Sequence, residues 1–438
     1  MRAYCSYKHT GVKAIGAIPL TWDVKRAKYL FREVNERSTD GSETLLSVSE
    51  YFGVKPRSEA ISDNENLSRA ETLEGYKKCS KDDFVMNIML AWKCGHGVTK
   101  YEGIVSPAYS VFRPDKSKIL PRYVHYLSRT PMYTKYFKTL STGIIDSRLR
   151  LYPDKFGEIF YILPSIREQE AIANFLDREI TRIDSLIAEK QTFINLLKEK
   201  RQALISHVVT KGLDPSVKMK DSGVDWIGEV PEHWTVKSYR YACKIYRGKF
   251  GHRPRNDPAL YDGAFPFIQT GDIARAKRTI ENYKQTLNEQ GVKVSQKFPA
   301  GTLVMAIAAN IGVTALLGFE AYAPDSVVGF NPKDNIDLDY LRFSFGAALP
   351  ALEQTSTQST QANLNIDRIA ALKAVFPPIE EQKEIVELLD SESIRIEDLI
   401  DEVKVSIELL KEHRTALISA AVTGKIDVQS EISKDAIA

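Results

Sequence analysis

A stretch of 48 residues occurs twice in this chain, and this repetition constrains the fold more than any other feature. The first copy, 163–210, aligns with the second, 376–423, at a constant offset of 213 and without a gap. The match includes polar positions that packing does not dictate, such as Gln169, which recurs as Gln382. An internal repeat of this kind indicates a duplicated structural unit. We therefore expect two copies of one element.

Each copy is predicted to be a long helix with a narrow apolar seam. Seam residues recur in alternating steps of four and three, the pattern of a coiled coil rather than of an ordinary surface helix. Pro164 and Pro377 suit the helix starts, and Gly212 and Gly424 lie at the expected ends. About 44 helical residues at about 1.5 Å each give a rod of roughly 65 Å. We expect the two rods to pack antiparallel.

The seam contains two arginines, which we expect to pair across the rods or with a carboxylate. The residues assigned to the helix seam are Leu176, Ile183, Ile187, Ile194, Leu197, Arg201 and Leu204 in the first rod, and Ile396, Ile400, Val403, Ile407, Leu410, Arg414 and Leu417 in the second.

A second repeat marks the start of each globular block. Residues 8–25 and 220–237 align at an offset of 212, and Trp22 returns as Trp234. The chain is therefore two half-chains in tandem, each with a start motif, a globular block and a rod. The interiors of the two blocks look much less alike than their borders. This combination predicts one shared scaffold carrying two divergent inserts, as expected of a protein that reads two different things in a fixed geometry.

These repeats predict an α+β fold with two globular mixed α/β domains, joined by two long antiparallel coiled-coil helices in a pseudo-twofold tandem repeat. A length of 438 residues fits two or three domains. The predicted boundaries are 1–162 for the first globular domain, 163–212 for the first coiled-coil helix, 213–227 for a linker, 228–375 for the second globular domain, 376–425 for the second coiled-coil helix and 426–438 for a C-terminal tail.

The apolar runs and the cysteine spacing predict a cytoplasmic protein. No apolar run approaches the roughly 18 residues of a membrane span, and the first residues lack the apolar core of a signal peptide. The four cysteines form no CxxC pair, which favours reduced thiols over disulfides or zinc. Cys94 and His96 are close, but one such pair cannot complete a tetrahedral site. We expect no metal site.

The charge is distributed unevenly along the chain. Residues 16–162 carry a net charge of +5, residues 228–375 carry +3, and the second rod, 376–425, carries −6. The basic blocks can neutralise phosphates, whereas DNA would repel the acidic rod, which suits contact with proteins. Excesses this small are also compatible with solubility alone.

One basic run stands out in the second block. Residues 237–255 contain seven Lys or Arg and no acidic residue. Basic side chains bind phosphates, and Arg can also read guanine edges with two hydrogen bonds. The alternative is a solvated basic edge. The DNA-binding candidates are Lys55, Arg57, Lys93, Lys100 and Tyr101 in the first block, and Arg247, Lys249, Arg253, Arg255, Gln269 and Asn310 in the second.

Motifs for catalysis are absent. The sequence has no GxGxxG and no GxxxxGK[ST] phosphate loop, and its seven histidines form no HExxH. We assign no catalytic residue. This absence favours a binding and assembly protein over an enzyme.

The paired motifs resemble the DNA-specificity (S) subunit of type I restriction–modification systems. They are the openings LPSIREQEAIANFLD and FPPIEEQKEIVELLD, the endings LLKEKRQALISHVVTKGL and LLKEHRTALISAAVTGKI, and the start motif KDSGVDWIGEVPEHW. The stretch NIMLAWKCGHGVTKYEGIVSPAY also looks like a target-recognition domain of that family. The resemblance covers residues 8–425. The first start motif departs slightly, with Ala14 where the second has Trp226.

The resemblance implies a non-catalytic subunit of a phage-defence complex. Each globular block would be a target-recognition domain for one half of a split, asymmetric double-stranded DNA site. The rods would space the domains and hold two methyltransferase (M) subunits, which use S-adenosylmethionine to methylate adenine. Restriction (R) subunits would supply translocation and cleavage with ATP and Mg²⁺. This chain itself would bind no cofactor.

Two other functions are compatible with parts of the pattern. One is a coiled-coil scaffold protein without sequence-specific DNA reading. The other is a fused single-chain restriction enzyme, against which the missing cofactor motifs argue.

Overall fold

The computed structural model describes residues 2–60, 72–354 and 364–429. The chain forms two compact units. Unit 1 comprises Met1–Lys190 and Val405–Ala438, and unit 2 comprises Gln191–Lys404. Residues 430–438 of the predicted tail lie outside the described part. The domain boundaries drawn from the repeats stay predictions.

Unit 1 combines short strands with helices that begin at prolines. Its strands are β1 (Tyr7–His9), β2 (Ala17–Pro19), β3 (Asp23–Arg26), β4 (Phe31–Val34), β5 (Leu46–Ser49), β6 (Gly53–Pro56), β7 (Lys77–Cys79), β8 (Phe84–Asn87), β9 (His96–Val98), β10 (Gly103–Val105), β11 (Tyr109–Pro114) and β12 (Phe160–Leu163). Its helices are α1 (Arg57–Ala60), α2 (Pro121–Ser128), α3 (Pro131–Leu140), α4 (Pro153–Glu158) and the first part of α5 (Ile166–Lys211).

The centre of unit 1 is a four-stranded antiparallel sheet. Its strand order is β4-β11-β8-β9. Phe84, Val85 and Met86 of β8 are all fully buried, so both faces of this strand are covered. Such a continuous apolar run is typical of a strand buried on both faces. Two-stranded ladders β5-β6, β7-β10, β1-β2 and β3-β12 surround the sheet.

Unit 2 contains more strands. They are β13 (Met219–Asp221), β14 (Glu229–Pro231), β15 (Thr235–Ser238), β16 (Cys243–Arg247), β17 (Tyr261–Phe267), β18 (Thr279–Ile280), β19 (Gln285–Leu287), β20 (Gln296–Phe298), β21 (Leu303–Ala306), β22 (Thr314–Leu317), β23 (Ala321–Ala323), β24 (Val327–Pro332) and β25 (Lys373–Phe376). The helices are α6 (Tyr239–Ala242), α7 (Thr270–Arg275), α8 (Glu289–Val294), α9 (Leu338–Gln354), α10 (Ile366–Ala371) and α11 (Ile379–Val422), which ends in unit 1.

Two mixed sheets form the insert of unit 2. A five-stranded sheet has the order β16-β24-β21-β22-β18, in which β18 and β22 run parallel. A four-stranded sheet has the order β19-β17-β23-β20, in which β17 and β23 run parallel. The insert of unit 1 has no such arrangement among its described strands. The inserts therefore differ in topology, as the dissimilar interiors of the sequence predict.

The two repeated stretches form the long helices α5 and α11. Within unit 1 they run antiparallel. Glu168, at the start of α5, accepts a hydrogen bond from Gln429, which follows the end of α11. Asp184, further along α5, accepts one from Arg414, which lies earlier in α11. The predicted α+β architecture with two long antiparallel helices is confirmed.

The seam positions are the buried side of these helices. Ile187, Arg201, Leu204, Val403, Leu410 and Arg414 are half-buried. The fully buried seam residues are Leu176, Ile183, Ile194, Leu197, Ile396, Ile400, Ile407 and Leu417. In unit 1, Leu176, Ile183 and Leu417 join the core of the globular insert. The helices therefore share one core with the insert of this unit.

A glutamine near the start of each long helix ties it to its insert. The side-chain oxygen of Gln169 accepts from the backbone N–H of Leu120 at 2.8 Å, and Gln382 accepts from Asp337 at 2.8 Å. Both amide groups also donate to two backbone carbonyls, at 2.8–3.1 Å. Both side chains are fully buried. The polar identity in the repeat therefore corresponds to one repeated set of buried hydrogen bonds.

The end of each long helix is held by the unit in which it terminates. In unit 1, a Cβ on Gly424 would lie 3.1 Å from the Trp22 ring, and in unit 2 a Cβ on Gly212 would lie 3.1 Å from the Trp234 ring. Both glycines have positive φ, at +73° and +80°, as a helix-terminating glycine requires. Each start motif thus packs on the end of a long helix, α11 in unit 1 and α5 in unit 2.

Candidate nucleic-acid interface

The basic loop of unit 2 begins where strand β16 ends. Arg247 and Lys249 are both exposed, and Gly248 between them is buried. The N–H of Gly248 donates to the carbonyl of Val327 at 2.9 Å, and a Cβ at this position would lie 1.9 Å from the carbonyl oxygen of Pro324. Only glycine allows this close backbone approach. The loop is therefore anchored to β24 between two exposed cations.

Two further arginines of this loop converge on one carboxylate. Arg255 donates to Asp325 at 2.7 Å, and a nitrogen of Arg253 lies 3.7 Å from the same oxygen. Arg253 also donates to the carbonyls of Phe250 and His252. Asp325 neutralises part of the charge and fixes the direction of both side chains, which remain exposed. The structure thus brings together four of the predicted cations of this unit.

The two predicted amide side chains of unit 2 also lie near each other. Gln269 precedes α7, and its amide donates to the side-chain oxygen of Gln285. Asn310 lies in the turn between β21 and β22, and its amide nitrogen is 3.5 Å from the carbonyl of Thr270. Both side chains are exposed. Amide groups in such a position can both donate to and accept from base edges.

The first pair of candidates in unit 1 lies at the β5-β6 hairpin. Lys55 is exposed on β6, and its ammonium lies 5.5 Å from the centre of the Phe52 ring. Arg57 is half-buried at the start of α1, and its Nε is buried without a hydrogen-bond partner. An unpaired guanidinium nitrogen in such a position is costly unless a ligand or water accepts from it. Both residues remain candidates, and Lys55 is the more exposed of the two.

Lys93 belongs to a cluster with Trp92 and Lys138 that the sequence did not predict. Its ammonium lies 5.0 Å from the centre of the Trp92 ring, and the ammonium of Lys138 lies 4.9 Å from the same ring. Cations at this distance are attracted by the aromatic quadrupole. Lys138 comes from α3, 45 residues away in the chain, so only the fold unites the two lysines. The only sign of this cluster in the sequence is that Trp92 and Lys93 are adjacent.

The last two candidates of unit 1 differ in exposure. Lys100 is exposed in the turn between β9 and β10. Tyr101 is half-buried and packs against the apolar cluster that includes Val48, Val54 and Val105. The ring of Tyr101 therefore has a structural part in this cluster. The DNA-binding assignments in both units remain predictions.

Two neutral histidines lie beneath these candidates in unit 1. Burial, together with the charge of the nearby Arg129 guanidinium, lowers the pKa of His96 and that of His125 to about 3. His96 donates from Nε2 to the carbonyl of Ser128 at 3.0 Å, and His125 accepts at Nδ1 from the N–H of Val98. Arg129 donates to the carbonyls of Cys94 and His96 at 2.9 and 2.6 Å. This polar group holds strand β9 against helix α2.

No group of three or more His, Cys, Asp or Glu in the described ranges is arranged to hold a metal ion. No helix in this part of the chain combines the length and apolarity needed to cross a membrane.

Residues 231–408 match the family described as type I restriction modification DNA specificity domain. The type I restriction enzyme MjaIX specificity subunit of Methanocaldococcus jannaschii is 24% identical, over 95% of this chain and 96% of that protein. The StySPI specificity subunit of Salmonella potsdam is 21% identical, over 81% of this chain and 76% of that protein. A solved structure from a type I restriction–modification system superposes with a TM-score of 0.70 at 14% identity, covering 93% of this chain and 99% of that one. The family resemblance predicted from the paired motifs is confirmed.

Proposed function

We propose that this chain is the DNA-specificity subunit of a type I restriction–modification complex and reads a bipartite, asymmetric DNA site. Each unit carries one target-recognition surface, and the chain itself catalyses no reaction. It acts in the cytoplasm together with partner subunits. The family match over 231–408 and the full-length relatives support this assignment.

The observation that carries the proposal is a repeated scaffold with unlike inserts. Gln169 and Gln382 make the same buried hydrogen bonds, and Gly424 and Gly212 make the same contact with a tryptophan. The inserts on this scaffold are one antiparallel four-stranded sheet in unit 1 and two mixed sheets in unit 2. Two different inserts held by the same scaffold contacts are suited to recognising two different DNA half-sites.

The exposed groups on unit 2 have the chemistry that DNA recognition requires. Four cations, Arg247, Lys249, Arg253 and Arg255, extend from one anchored loop and can take phosphates. Phosphate contacts position a protein on the duplex without reading sequence. Gln269 and Asn310 supply amides that can pair with base edges. We infer that the loop positions the unit and that the amides contribute to base selection.

The two long helices each expose a leucine at the same position of the repeat. Leu196 on α5, in unit 2, is 55% exposed, and Leu409 on α11, in unit 1, is 59% exposed. The two positions are related by the repeat offset of 213. A partner that docks on one can therefore dock on the other in the same way. We propose that these positions receive two methyltransferase subunits, which use S-adenosylmethionine, and that restriction subunits using ATP and Mg²⁺ join them.

Methylation mapping tests the proposal directly. DNA is sequenced for modified bases from cells that carry this chain with its methyltransferase partner, and from cells that lack either protein. We expect one split motif with adenine modified in both halves, dependent on both proteins. Modification without the partner would identify a single-chain enzyme instead. An active partner that leaves no motif would favour a scaffold protein without DNA reading.

Variants that act on one unit sharpen this test. Arg247→Ala with Lys249→Ala should weaken binding through unit 2, and Arg57→Ala should weaken it through unit 1. Lys404→Ala, on the exposed side of α11, is the matched control. Binding is measured by a shift assay on duplexes in which one half of the mapped motif is scrambled. A unit-2 variant should lose the contribution of one half only, always the same one.

A further inference from the structure

A loop of unit 1 exposes two isoleucines at its tip. Ile144 is 99% exposed and Ile145 is 54% exposed. They are adjacent, in the segment 141–150 that connects α3 to the chain before α4. Single exposed apolar residues are ordinary on protein surfaces, but a fully exposed isoleucine beside a second one is not. The tip is therefore a candidate contact surface for a ligand.

The loop is built to hold this tip away from the body of the unit. Thr142 and Arg150 exchange backbone hydrogen bonds at 2.9 Å in both directions, which closes the base of the loop. A 3₁₀ turn, Asp146–Arg148, follows the isoleucines. A Cβ on Gly143 would lie 2.7 Å from the carbonyl oxygen of Arg148, so only glycine fits there. These restraints keep the isoleucines at the outermost point rather than in the core.

Contacts of Asp146 and Trp92, and position in the chain, connect three cations to the tip. Lys138 donates to Asp146 of the loop at 2.8 Å and also lies over Trp92. Lys93 lies over the same indole. Arg148 is exposed directly beyond the isoleucines. Asp146 is the one acidic residue in the segment 141–150.

This combination matches one class of ligand. Proteins that kink the DNA duplex insert Ile, Leu, Phe or Met between base steps, while basic side chains neutralise the flanking phosphates. An apolar protein partner would bury the isoleucines equally well, but it would supply no counter-charge for Lys93 and Arg148, whereas Lys138 already has Asp146. The polyanionic backbone of DNA supplies such charges on both sides of the wedge.

We propose that Ile144 and Ile145 form a wedge that inserts between stacked base pairs in the half-site read by unit 1. Lys93, Lys138 and Arg148 contact the phosphates beside the opened step. The inference rests on the proposed DNA-specificity function and adds a deformation of the duplex, so that this half-site is selected partly by how easily its base step opens.

The test uses the complex of the full chain with its methyltransferase partner and duplexes carrying the mapped motif. 2-Aminopurine replaces one base at a time in each half-site, excluding the adenine that is methylated, because that base is expected to leave the stack by itself. The test variant combines Ile144→Ala with Ile145→Ala. The control is Leu20→Ala, because Leu20 is another exposed aliphatic residue of unit 1, at 55% exposure.

We expect the unaltered complex to raise 2-aminopurine fluorescence several-fold at one step of one half-site. The double alanine variant should abolish this rise and weaken binding roughly 10- to 200-fold, because the two substitutions together remove about two to four buried methyl or methylene groups of apolar contact. Leu20→Ala should behave as the unaltered complex. The second half-site should show no change with either variant.

Three results would overturn the wedge. If the unaltered complex binds its motif but no step outside the methylated adenine unstacks, Ile144 and Ile145 do not intercalate, although the DNA-specificity function stands. If the double variant binds methyltransferase more weakly in the absence of DNA, the tip is a protein contact. If the unaltered complex shows no preference for the motif over random duplex, the proposed function itself is wrong and the wedge fails with it.

Discussion

Arg414 of α11 donates hydrogen bonds to both carboxylate oxygens of Asp184 on α5, at 2.9 and 3.4 Å. Arg414 occupies a seam position that would ordinarily be apolar, and its side chain is half-buried. The expectation that a seam arginine pairs across the helices is met at this position. Charged residues in a coiled-coil seam often select register or partner at a cost in stability. The pair therefore fits an element that fixes how α5 and α11 align in unit 1.

Replacing Arg414 with Leu should change the stability of the protein little. Both partners are partly solvated, and the coupling of such pairs is about 0–1 kcal/mol. A double-mutant cycle with Asp184→Ala, followed by urea denaturation, measures the coupling. A coupling energy well above about 2 kcal/mol would show that the pair stabilises the fold rather than selecting its alignment. Partner binding by Arg414→Leu then tests whether the alignment matters for assembly.

Gln169→Leu should destabilise unit 1 substantially. The substitution leaves the part-buried N–H of Leu120, the part-buried carbonyl of Lys118 and the buried carbonyl of Pro164 without their side-chain partner, and each fully buried group of this kind costs about 1–3 kcal/mol. We expect a loss of about 2–4 kcal/mol in the free energy of unfolding. Gln382→Leu should have a similar effect on unit 2, because its hydrogen bonds are the same.

The matched control is Gln191→Leu, at an exposed position of the same helix. It should change stability by less than about 0.5 kcal/mol. Chemical denaturation of the three variants under identical conditions provides the comparison. Equal stability of Gln169→Leu and Gln191→Leu would contradict the role assigned to the repeated glutamine.

Acidification should destabilise unit 1 between pH 6.5 and 3. In the folded state His96 and His125 have pKa values of about 3, because burial and Arg129 disfavour the charged ring. In the unfolded chain a histidine has a pKa of about 6.5 and therefore binds a proton over this range. The stability is complete above about pH 6.5 and falls as the pH is lowered, by up to about 1.4 kcal/mol per pH unit for each histidine.

The histidine effect is isolated by comparing variants at pH 5 and 7.5. His96→Phe places an aromatic ring beside Phe84 and Phe137, which already lie within 5.5 Å of the imidazole centre. It should reduce the difference in unfolding free energy between the two pH values. His207→Asn, at an exposed position, should leave that difference unchanged. An unaltered pH dependence in His96→Phe would mean that this imidazole titrates normally in the folded protein.

Lys249→Ala should reduce the salt dependence of DNA binding. Each phosphate contact contributes about 0.9 to the slope of log K against log salt concentration, so the slope should fall by about that amount. Affinity should decrease for cognate and random duplexes alike, because a phosphate contact carries no sequence information. Lys404→Ala serves as the control. A variant that loses cognate affinity only would show that Lys249 reads a base.

Asn310→Ala should instead relax sequence preference at one base pair. Loss of an amide contact to a base edge costs about 1–3 kcal/mol of discrimination at that position and leaves random binding unchanged. A selection of binding sites from a randomised half-site shows which position is affected. Asn282→Ala, at another exposed asparagine of unit 2, is the control. An unchanged preference at every position would remove Asn310 from the reading surface.

The sequence by itself predicted the elements that depend on local periodicity and on the duplication. The seam of α5 was readable from the spacing of residues such as Leu176 and Ile183, because an amphipathic helix repeats its buried side every three to four residues. Gly212 and Gly424 could be placed at helix ends for the same local reason, since a helix-terminating residue commonly requires positive φ. The duplicated motifs also predicted the resemblance to type I specificity subunits.

Only the tertiary structure decided which distant residues share a surface. Asp325 lies 70 residues from Arg255, and Lys138 lies 45 residues from Lys93, yet each pair belongs to one cluster. Charged and aromatic surface residues have no periodic signature, because their neighbours are determined by chain topology rather than by local spacing. The same holds for Trp22, whose partner Gly424 lies at the far end of the second repeat. Local pattern thus determined the scaffold, and long-range packing determined the candidate reading surfaces.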